Sequence, residues 1–415
     1  MADRPLRPDT LAVHSGREDL TALGVHAPPL DLSSTYPLPD IEHGGDAYES
    51  LATGGYPPAE GGMVYARLWN PTVARFERAL AELEHASTAV AFSSGMAATT
   101  AAILAHSNGD RAGAGDKGAK RHVVAVRPLY GGTDHLLDSG LLGVEATFCD
   151  EDEVAASIRP DTALVIIETP ANPTLELVDI AAVVAQAGDV PVLVDNTFAT
   201  PVLQNPLDLG ARMSLHSATK YLGGHGDVIA GVIACDEETA AKLRPVRAIT
   251  GGILHPLGAY LLHRGLATLP VRMRAQQENA QRIAAWLATH PAVRTVHYPG
   301  LDDPRGLVGR QQRGPGAMVS IALVGGFAAA SAVTSAVEIF THAVSLGGVD
   351  SLIQHPAALT HRPVPPEARP SADVLRLSIG LEDVDDLIAD LDRALAVAAR
   401  AAAETAQAPE TAVHA

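Results

Sequence analysis

One lysine in this chain of 415 residues stands where its amine could do covalent chemistry. Lys220 lies in the run Ser-Ala-Thr-Lys-Tyr-Leu-Gly-Gly-His-Gly-Asp of residues 217–227, directly after an apolar stretch. A partly desolvated lysine can lose its proton and attack a carbonyl, whereas arginine cannot form an imine. The hydroxyls of Ser217 and Thr219 could hold a phosphate beside it. The other three lysines stand in a Gly-rich loop or on a polar helix face, where solvent-exposed charge explains them.

A carboxylate follows a second apolar stretch, in Val192-Leu-Val-Asp195. An aspartate that ends a strand lies at the carboxyl edge of its sheet, where α/β proteins bind ligands. Such a carboxylate can keep a pyridine nitrogen protonated, which makes the ring an electron sink. An aspartate after a buried strand is often only a cap, but Asp195 comes about one βα unit before Lys220. The pair predicts pyridoxal 5'-phosphate (PLP) as the cofactor.

A possible phosphate site precedes both residues, where Ser94, Gly95 and Met96 follow a predicted strand and open a predicted helix. The free N–H groups of a helix N-terminus suit a phosphate. An ordinary N-cap by Ser94 explains the same residues and stays open as an alternative.

Two further side chains complete the candidate site. Tyr130, in Leu-Tyr-Gly-Gly-Thr after another predicted strand, could lie flat against an aromatic cofactor. Arg376 is flanked by apolar residues in a predicted strand and needs a partner, for which the carboxylate of an amino-acid substrate is suitable. Gly113–Gly118 fits the pattern GxGxxG, but it follows a helix and precedes a strand, the reverse of a dinucleotide site. The histidines are too scattered to predict a metal.

The elements that must position these residues alternate between strand and helix. Apolar runs predict strands at 88–92, 122–126, 144–148, 163–168, 191–195, 213–217 and 229–234, and helical patterns at 73–84, 96–105 and 180–187 lie between several of them. This order indicates a mostly parallel sheet covered on both faces. Beyond residue 265 the order changes to a long helix at 271–289, strands at 317–323 and 375–379, and a last helix at 384–403.

The predicted fold class is therefore α/β, with a large, mostly parallel-sheet domain and a smaller C-terminal α+β domain. Residues 1–68 are rich in Pro, Gly and Thr, show no sustained helical period, and predict a segment that wraps over a neighbouring domain or subunit. Residues 69–265 are expected to form the cofactor-binding domain, 266–405 the C-terminal domain, and 406–415 a disordered tail.

The composition limits the classes of binding partner that we expect for this protein. A net charge of −18 argues against nucleic acid or an anionic membrane surface. No apolar run approaches the ~20 residues of a membrane span, and the N-terminus lacks the apolar core of a signal peptide. Cys149 and Cys235 read as two buried, reduced thiols. We expect a cytoplasmic enzyme that acts on a small molecule.

Together the motifs resemble the Cys/Met-metabolism family of PLP enzymes, the transsulfuration group, which has the fold type I architecture. The resemblance spans almost the whole chain in order, through Tyr65-Ala-Arg67, Ser94-Gly-Met96, Leu129-Tyr-Gly-Gly132, Glu168-Thr-Pro-Ala-Asn172-Pro-Thr174, Val194-Asp-Asn-Thr197, Ser217-Ala-Thr-Lys220, Ser345-Leu-Gly-Gly348 and Arg376-Leu-Ser-Ile-Gly-Leu-Glu382.

The resemblance implies a role for each matching residue. Lys220 would form the Schiff base and shuttle protons, Asp195 would hold the pyridine nitrogen, and Tyr130 would stack on the ring and act as acid or base. Gly95 and Met96, with Ser94, Ser217 and Thr219, would hold the phosphate; Asn172, Ser345 and Arg376 would bind cofactor oxygen and substrate carboxylate. Tyr65 and Arg67 would reach the phosphate of a neighbouring subunit, in a homotetramer built from two active dimers.

The resemblance favours γ-elimination of a sulfur amino acid such as L-cystathionine or L-methionine, which gives 2-oxobutanoate, ammonia and a thiol. The alternatives are γ-replacement on an O-acylated homoserine and, more remotely, a PLP-binding protein without turnover. Val344 is apolar, as in methionine γ-lyases, where cystathionine enzymes tend to carry Glu; Gly132 replaces the Cys typical of methionine γ-lyases. Residues 44–62 and 108–121 form insertions, and the first of them is expected near the active-site entrance.

Overall fold

The apolar runs pair into a seven-stranded sheet in the computed structural model of the protein, which describes residues 6–58, 62–107 and 120–407. All but one of these strands are almost wholly buried, as expected for strands covered on both faces. The strands are β1 (Thr88–Phe92), β2 (His122–Val126), β3 (Glu145–Cys149), β4 (Thr162–Glu168), β5 (Val192–Asp195), β6 (Met213–His216) and β7 (Gly231–Cys235).

The sheet has the order β1-β7-β6-β5-β4-β2-β3. The five strands from β6 to β3 pair in parallel, whereas β7 is antiparallel to both β6 and β1. Because β1 thereby runs in the same direction as β6, the carboxyl ends of β1, β2, β4, β5 and β6 meet at one edge. Ligand sites of α/β sheets form at this edge.

A second, five-stranded sheet follows in the chain, in the order β10-β11-β12-β9-β8. Its strands are β8 (Val293–His297), β9 (Met318–Leu323), β10 (Thr341–His342), β11 (Leu352–Gln354) and β12 (Val374–Ser378). The largest buried apolar cluster combines residues of both sheets, such as Val232 and Leu377, with residues of the helices between them. The two sheets are therefore held by a shared core, and the predicted α/β fold class is confirmed.

Helices cover both sheets. They are α1 (Pro8–His14), α2 (Ile41–Ala52), α3 (Pro71–Leu83), α4 (Gly95–Ser107), α5 (Gly131–Asp138), α6 (Val154–Ser157), α7 (Ile180–Ala187), α8 (Thr200–Leu203), α9 (Glu237–Thr250), α10 (Pro256–Leu287), α11 (Gly326–Ala336) and α12 (Val384–Gln407), with 3-10 turns at Glu151–Glu153, Pro206–Leu209 and Pro366–Ala368. Asn70 caps α3 by accepting hydrogen bonds from two main-chain N–H groups. Across the described ranges, none of these helices has the length and apolarity needed to cross a membrane.

The N-terminal segment departs from the expectation of a region without helices. Asp40 caps α2 by accepting from the N–H of His43, and Ala47 and Leu51 pack in a small apolar cluster with residues that include Ala248 of α9. Packing against α9 thus stabilises a helix that the sequence pattern did not predict.

Two predicted helix boundaries also differ from those in the structure. Helix α10 begins at Pro256, well before the predicted start at residue 271. Helix α12 continues to Gln407, so the first two residues of the predicted tail are helical. Residues 408–415 of that tail lie outside the described residues, as do residues 108–119 with the GxGxxG pattern.

Candidate active site

A cavity of about 500 Å³ opens at the shared carboxyl edge of the large sheet, facing the second sheet. Its walls contain most of the side chains singled out from the sequence: Ser94, Gly95, Met96, Tyr130, Asn172, Asp195, Ser217, Thr219, Lys220, Ser345 and Arg376. The strand order explains this convergence, because the loops after β1, β2, β4, β5 and β6 all end beside the cavity.

Lys220 follows β6 and directs its amine at the second domain. Its Nζ donates a hydrogen bond to Ser345 Oγ at 2.7 Å. Burial, reinforced by the charge of Arg376, lowers the pKa of Lys220 to about 8. Ser345 has φ +89°, a conformation that costs a non-glycine residue energy and is typical of functional sites. The amine is therefore held in place, and about half of the molecules carry it in the uncharged form near pH 8.

Asp195 presents one free oxygen to the cavity. Its Oδ1 accepts hydrogen bonds from the Thr197 N–H at 3.1 Å and the Thr197 hydroxyl at 2.5 Å. No hydrogen bond from the described residues reaches Oδ2. Burial raises the pKa of Asp195, and the two bonds from Thr197 oppose that shift. The free oxygen fits the protonated nitrogen of a pyridine ring, as PLP requires.

The loop after β1 approaches Ser217 so closely that a side chain at Gly95 would be crowded against it. A Cβ on Gly95 would lie 3.1 Å from Ser217 Cβ and 3.2 Å from Ser217 Cα. This brings the N-terminus of α4 beside Ser217, a setting suited to a phosphate. Ser94 also caps the helix, since its hydroxyl accepts from the Ala97 N–H at 3.1 Å. The Thr219 hydroxyl already donates to the Ala230 carbonyl at 3.2 Å and accepts from the Ala230 N–H at 3.0 Å.

Tyr130 also lines the cavity and lies tight against a glycine. A Cβ on Gly132 would meet Tyr130 Cε1 at 2.5 Å and Met96 Sδ at 3.2 Å. Burial and the nearby Glu168 raise the pKa of Tyr130, so its phenol keeps its proton at neutral pH. The absence of a side chain at position 132 therefore lets the ring settle where it does.

Arg376, on β12, is a buried cation with neutral partners. It donates to Asn172 Oδ1 at 2.8 Å, to the Ser345 carbonyl at 3.0 Å and to Gln354 Oε1. Its Nε is buried without a partner, and it forms no ion pair with any described carboxylate. Burial lowers the pKa of Arg376 to about 10. A buried, unpaired charge is costly, so this arginine is suited to receive an anionic group such as a carboxylate.

Two predicted residues are not brought to this cavity. Tyr65 is 42% exposed, and Arg67 donates to the Ala248 carbonyl at 2.7 Å. Neither lines the cavity of its own chain.

The insertion at residues 44–62 also lies away from the cavity of its own chain, as far as the structure describes it. It docks on α9 through Tyr56, whose hydroxyl donates to Glu237 Oε1 at 2.7 Å. The guanidinium of Arg244 lies over the Tyr56 ring, 4.2 Å from its centre. Cation–π contact and hydrogen bonding thus fix this segment to α9.

The sequence interpretation missed several residues that line the cavity or form hydrogen bonds to the residues that line it. Glu168 and Thr197 appear there only as letters of a motif, and Gln354 is not considered at all. A usable signal exists for Glu168, since it ends an apolar strand just as Asp195 does. Gln354 gives no such signal, because its contact with Arg376 depends on the pairing of β11 with β12.

Comparison with known proteins agrees with this geometry. Residues 9–396 match the model of the family described as Cys/Met metabolism PLP-dependent enzyme. L-methionine gamma-lyases from Brevibacterium sandarakinum and Streptomyces avermitilis are 60% and 54% identical to this chain, over 96% and 93% of it and 99% and 88% of their own lengths. Cystathionine gamma synthase from Xanthomonas oryzae pv. oryzae, solved with cystathionine, has a TM-score of 0.85 and 36% identity, covering 96% of this chain and 100% of that one. The chain belongs to the Cys/Met metabolism family of PLP-dependent enzymes, which has the type I fold and uses pyridoxal 5'-phosphate.

Proposed function

We propose that this chain is a C–S lyase that catalyses γ-elimination of a sulfur amino acid, with L-methionine preferred. Methionine and water are converted to 2-oxobutanoate, ammonia and methanethiol. The observation that carries the proposal is one cavity that combines a lysine amine of lowered pKa, an unpaired buried Arg376 and a free carboxylate oxygen on Asp195. The lyase relatives at 54–60% identity support the same reaction.

Bound PLP supplies a carbonyl for the substrate amine and a protonated ring that accepts electrons from the α-carbon. Asp195 Oδ2 would accept a hydrogen bond from the protonated ring nitrogen. Arg376 would bind the substrate carboxylate and fix the α-carbon near Lys220. In its neutral form, the Lys220 amine would remove the α-proton, and it would have to pass this proton on to the bound cofactor before, neutral again, it could remove a proton from the β-carbon. Tyr130, which keeps its phenolic proton, donates it to the leaving sulfur.

The lining of the cavity includes apolar side chains that favour a thioether without charge. They include Val344 and Leu359, about half exposed in the single chain, and the buried Phe198. An apolar wall stabilises a methylthio group and gives no partner to the second ammonium and carboxylate of cystathionine. This contrast supports methionine over cystathionine.

Release of 2-oxobutanoate by the PLP-loaded protein tests the proposal, with L-methionine, L-cystathionine, and O-succinylhomoserine with and without cysteine as substrates. Rapid release from methionine alone is the expected result. Consumption of O-succinylhomoserine into cystathionine, with little release from the other two, would instead establish γ-replacement, the second candidate. That candidate draws support from the similarity to cystathionine gamma synthase. A bound cofactor without any turnover would leave only a binding function.

We also propose that the enzyme is a cytoplasmic homotetramer whose active unit is a dimer. Among the described residues, the cations that line the cavity are Lys220 and Arg376, which would serve the amine and the carboxylate, so these residues leave the phosphate end without a cation. Arg67 of a second copy, with Tyr65, would supply it. The free, buried thiols Cys149 and Cys235 fit a reducing compartment. In this scheme residues 1–68 form the intersubunit arm, 69–265 carry the cofactor, and 266–405 bind the carboxylate.

Mixing two inactive variants tests the shared site. Arg67→Ala and Lys220→Ala are each expected to lose activity, because one lacks the phosphate cation and the other the amine. After unfolding and refolding together, half of the dimers contain one chain of each kind, and one of their two sites is intact. We therefore expect about a quarter of the wild-type activity to return. No recovery, with hybrid dimers demonstrated by mass spectrometry, would place Arg67 outside the neighbouring site.

The lowered pKa of Lys220 predicts a distinct pH dependence of its reactivity in the cofactor-free protein. Only the neutral amine reacts with an acylating reagent, so its labelling should rise about tenfold from pH 7 to pH 9 and then level off. An amine of ordinary pKa would still gain reactivity above pH 10. Quantitative mass spectrometry of the labelled peptides measures the rate, and the exposed Lys242 provides the internal reference. A midpoint for Lys220 above pH 10 would contradict the lowered pKa.

A further inference from the structure

A buried carboxylate stands beside Asp195 and takes no part in the scheme above. Glu168 ends β4 and pairs in register with Asp195 at the end of β5. It is 5% exposed and lines the cavity. Burial and the neighbouring Asp195 raise its pKa well above the usual range, whereas hydrogen bonds from the Tyr130 and Asn172 N–H groups and the charge of Arg376 favour the ionised form and oppose that shift. Placing two carboxyl groups side by side in a buried site is unfavourable, so Glu168 must provide an interaction that offsets this cost.

That interaction is visible in the hydrogen bonds of its two oxygens. Glu168 Oε2 accepts from the main-chain N–H of Tyr130 at 2.6 Å, and Oε1 accepts from the N–H of Asn172 at 3.0 Å. The donors belong to two different loops, one after β2 and one after β4. A carboxylate is suited to this place because both of its oxygens accept, whereas glutamine has one accepting oxygen and an NH₂ group.

Each loop carries a side chain that faces the cavity. In the loop after β4, the side-chain Oδ1 of Asn172 accepts a hydrogen bond from Arg376 at 2.8 Å. In the loop after β2, Gly132 lies so near the ring of Tyr130 that a Cβ on this glycine would clash with the ring. A shift of either main-chain segment would therefore move the guanidinium of Arg376 or the ring of Tyr130.

The same contacts argue against a role for Glu168 as proton donor or acceptor for substrate. Both of its oxygens already accept from main-chain N–H groups, and neither is hydrogen-bonded to the amine of Lys220, whose partner is Ser345 Oγ. Its contacts therefore point to an influence on the reaction through the residues that it holds.

We propose that Glu168 is a positioning residue of the active site. Through Asn172 it sets the direction in which Arg376 meets the substrate carboxylate. Through the main chain of Tyr130 it sets the seat of the ring against the cofactor. The inference rests on the proposed function in one respect, the assignment of Arg376 as the carboxylate ligand.

Two variants separate the reach of the Glu168 side chain from its charge. Glu168→Gln keeps the length and removes one acceptor, whereas Glu168→Asp keeps the charge and shortens the side chain by one methylene. Glu176→Gln, an exposed change in the same loop, is the matched control. Each PLP-loaded protein is titrated with glycine and with methylamine, and the absorbance change of the bound cofactor is recorded. Both ligands have an amine, but only glycine has a carboxylate for Arg376.

We expect Glu168→Gln and Glu168→Asp to raise the half-saturating concentration of glycine about tenfold or more, since small misplacements of a binding group are costly. The value for methylamine should change less than twofold, and the control should match the wild type for both ligands. With L-methionine, KM should rise more than kcat falls. A carboxylate-selective loss of this kind is not expected from a mere decrease in stability.

Other results would overturn the proposal. Equal losses for glycine and methylamine would indicate a general structural role, and unchanged titrations would indicate none. Wild-type behaviour of Glu168→Asp would assign the effect to charge, contrary to the bridging geometry. If Glu168→Gln fails to fold, the Asp variant alone decides between these results. Because the glycine titration needs no turnover, a wild-type enzyme inactive on methionine would contradict the proposed function while leaving this test valid.

Discussion

Replacement of Lys220 by alanine is expected to reduce 2-oxobutanoate release from L-methionine by about 10⁴-fold, the largest effect of any single change. The variant loses the amine that moves protons at the α- and β-carbons, a contribution typical of general acid–base groups. Ser345 Oγ also loses its hydrogen-bond donor. Oxo-acid release under saturating PLP measures the effect, and circular dichroism verifies that the protein is folded.

Lys242→Ala is the natural control, because Lys242 pairs with Glu238 on the exposed face of α9 and lies outside the cavity. Borohydride treatment followed by mass spectrometry should find covalent cofactor on the Lys220 peptide of the wild type and of Lys242→Ala. Retention of more than a tenth of wild-type activity in Lys220→Ala would remove the central assignment of the site.

Asp195→Asn is expected to lower kcat on the order of 10³-fold, in the range seen when a key electrostatic partner is lost. The amide has nearly the shape of the carboxylate and can still accept from Thr197. It presents an N–H to the ring nitrogen, however, and so favours the unprotonated ring, which is a poor electron sink. The absorbance spectrum of the bound cofactor and the rate of α-proton exchange with solvent measure the change.

Thr197→Val provides a graded comparison for this prediction. It removes the hydroxyl that bonds Asp195 Oδ1 but leaves the carboxylate, so a loss smaller than that of Asp195→Asn is expected. A kcat for Asp195→Asn within threefold of the wild type would show that the ring nitrogen does not depend on this carboxylate.

The strands of the large sheet could be predicted well because they are buried on both faces. Continuous apolar runs place β1 at 88–92 and β2 at 122–126, the same bounds that the structure has. Helix α10 was harder, since its first half contains Gly258, Gly265 and the interior Pro270, which lower helix propensity. Burial of Leu262 and Leu266 in the core stabilises this part of the helix, and local sequence does not reveal such packing.

Site residues were predictable where residue type and strand position coincide. Lys220 and Asp195 each follow an apolar strand, and the parallel order brings both to one edge. The bridge made by Glu168 was not predictable, because it depends on the distance between two loops. The role proposed for Tyr65 and Arg67 would depend on a second copy of the chain, since neither residue lines the cavity of its own chain.

The position of β7 between β1 and β6 also has a consequence for biosynthesis. The loop after β1 lies beside Ser217, yet in the described sheet β1 pairs only with β7, which is made after Lys220. A nascent chain that ends before residue 235 therefore lacks the strand that seats Gly95 beside Ser217. Such long-range pairing is slow and exposes strand edges meanwhile. We therefore expect pyridoxal 5'-phosphate to stabilise the domain only after β7 has joined the sheet.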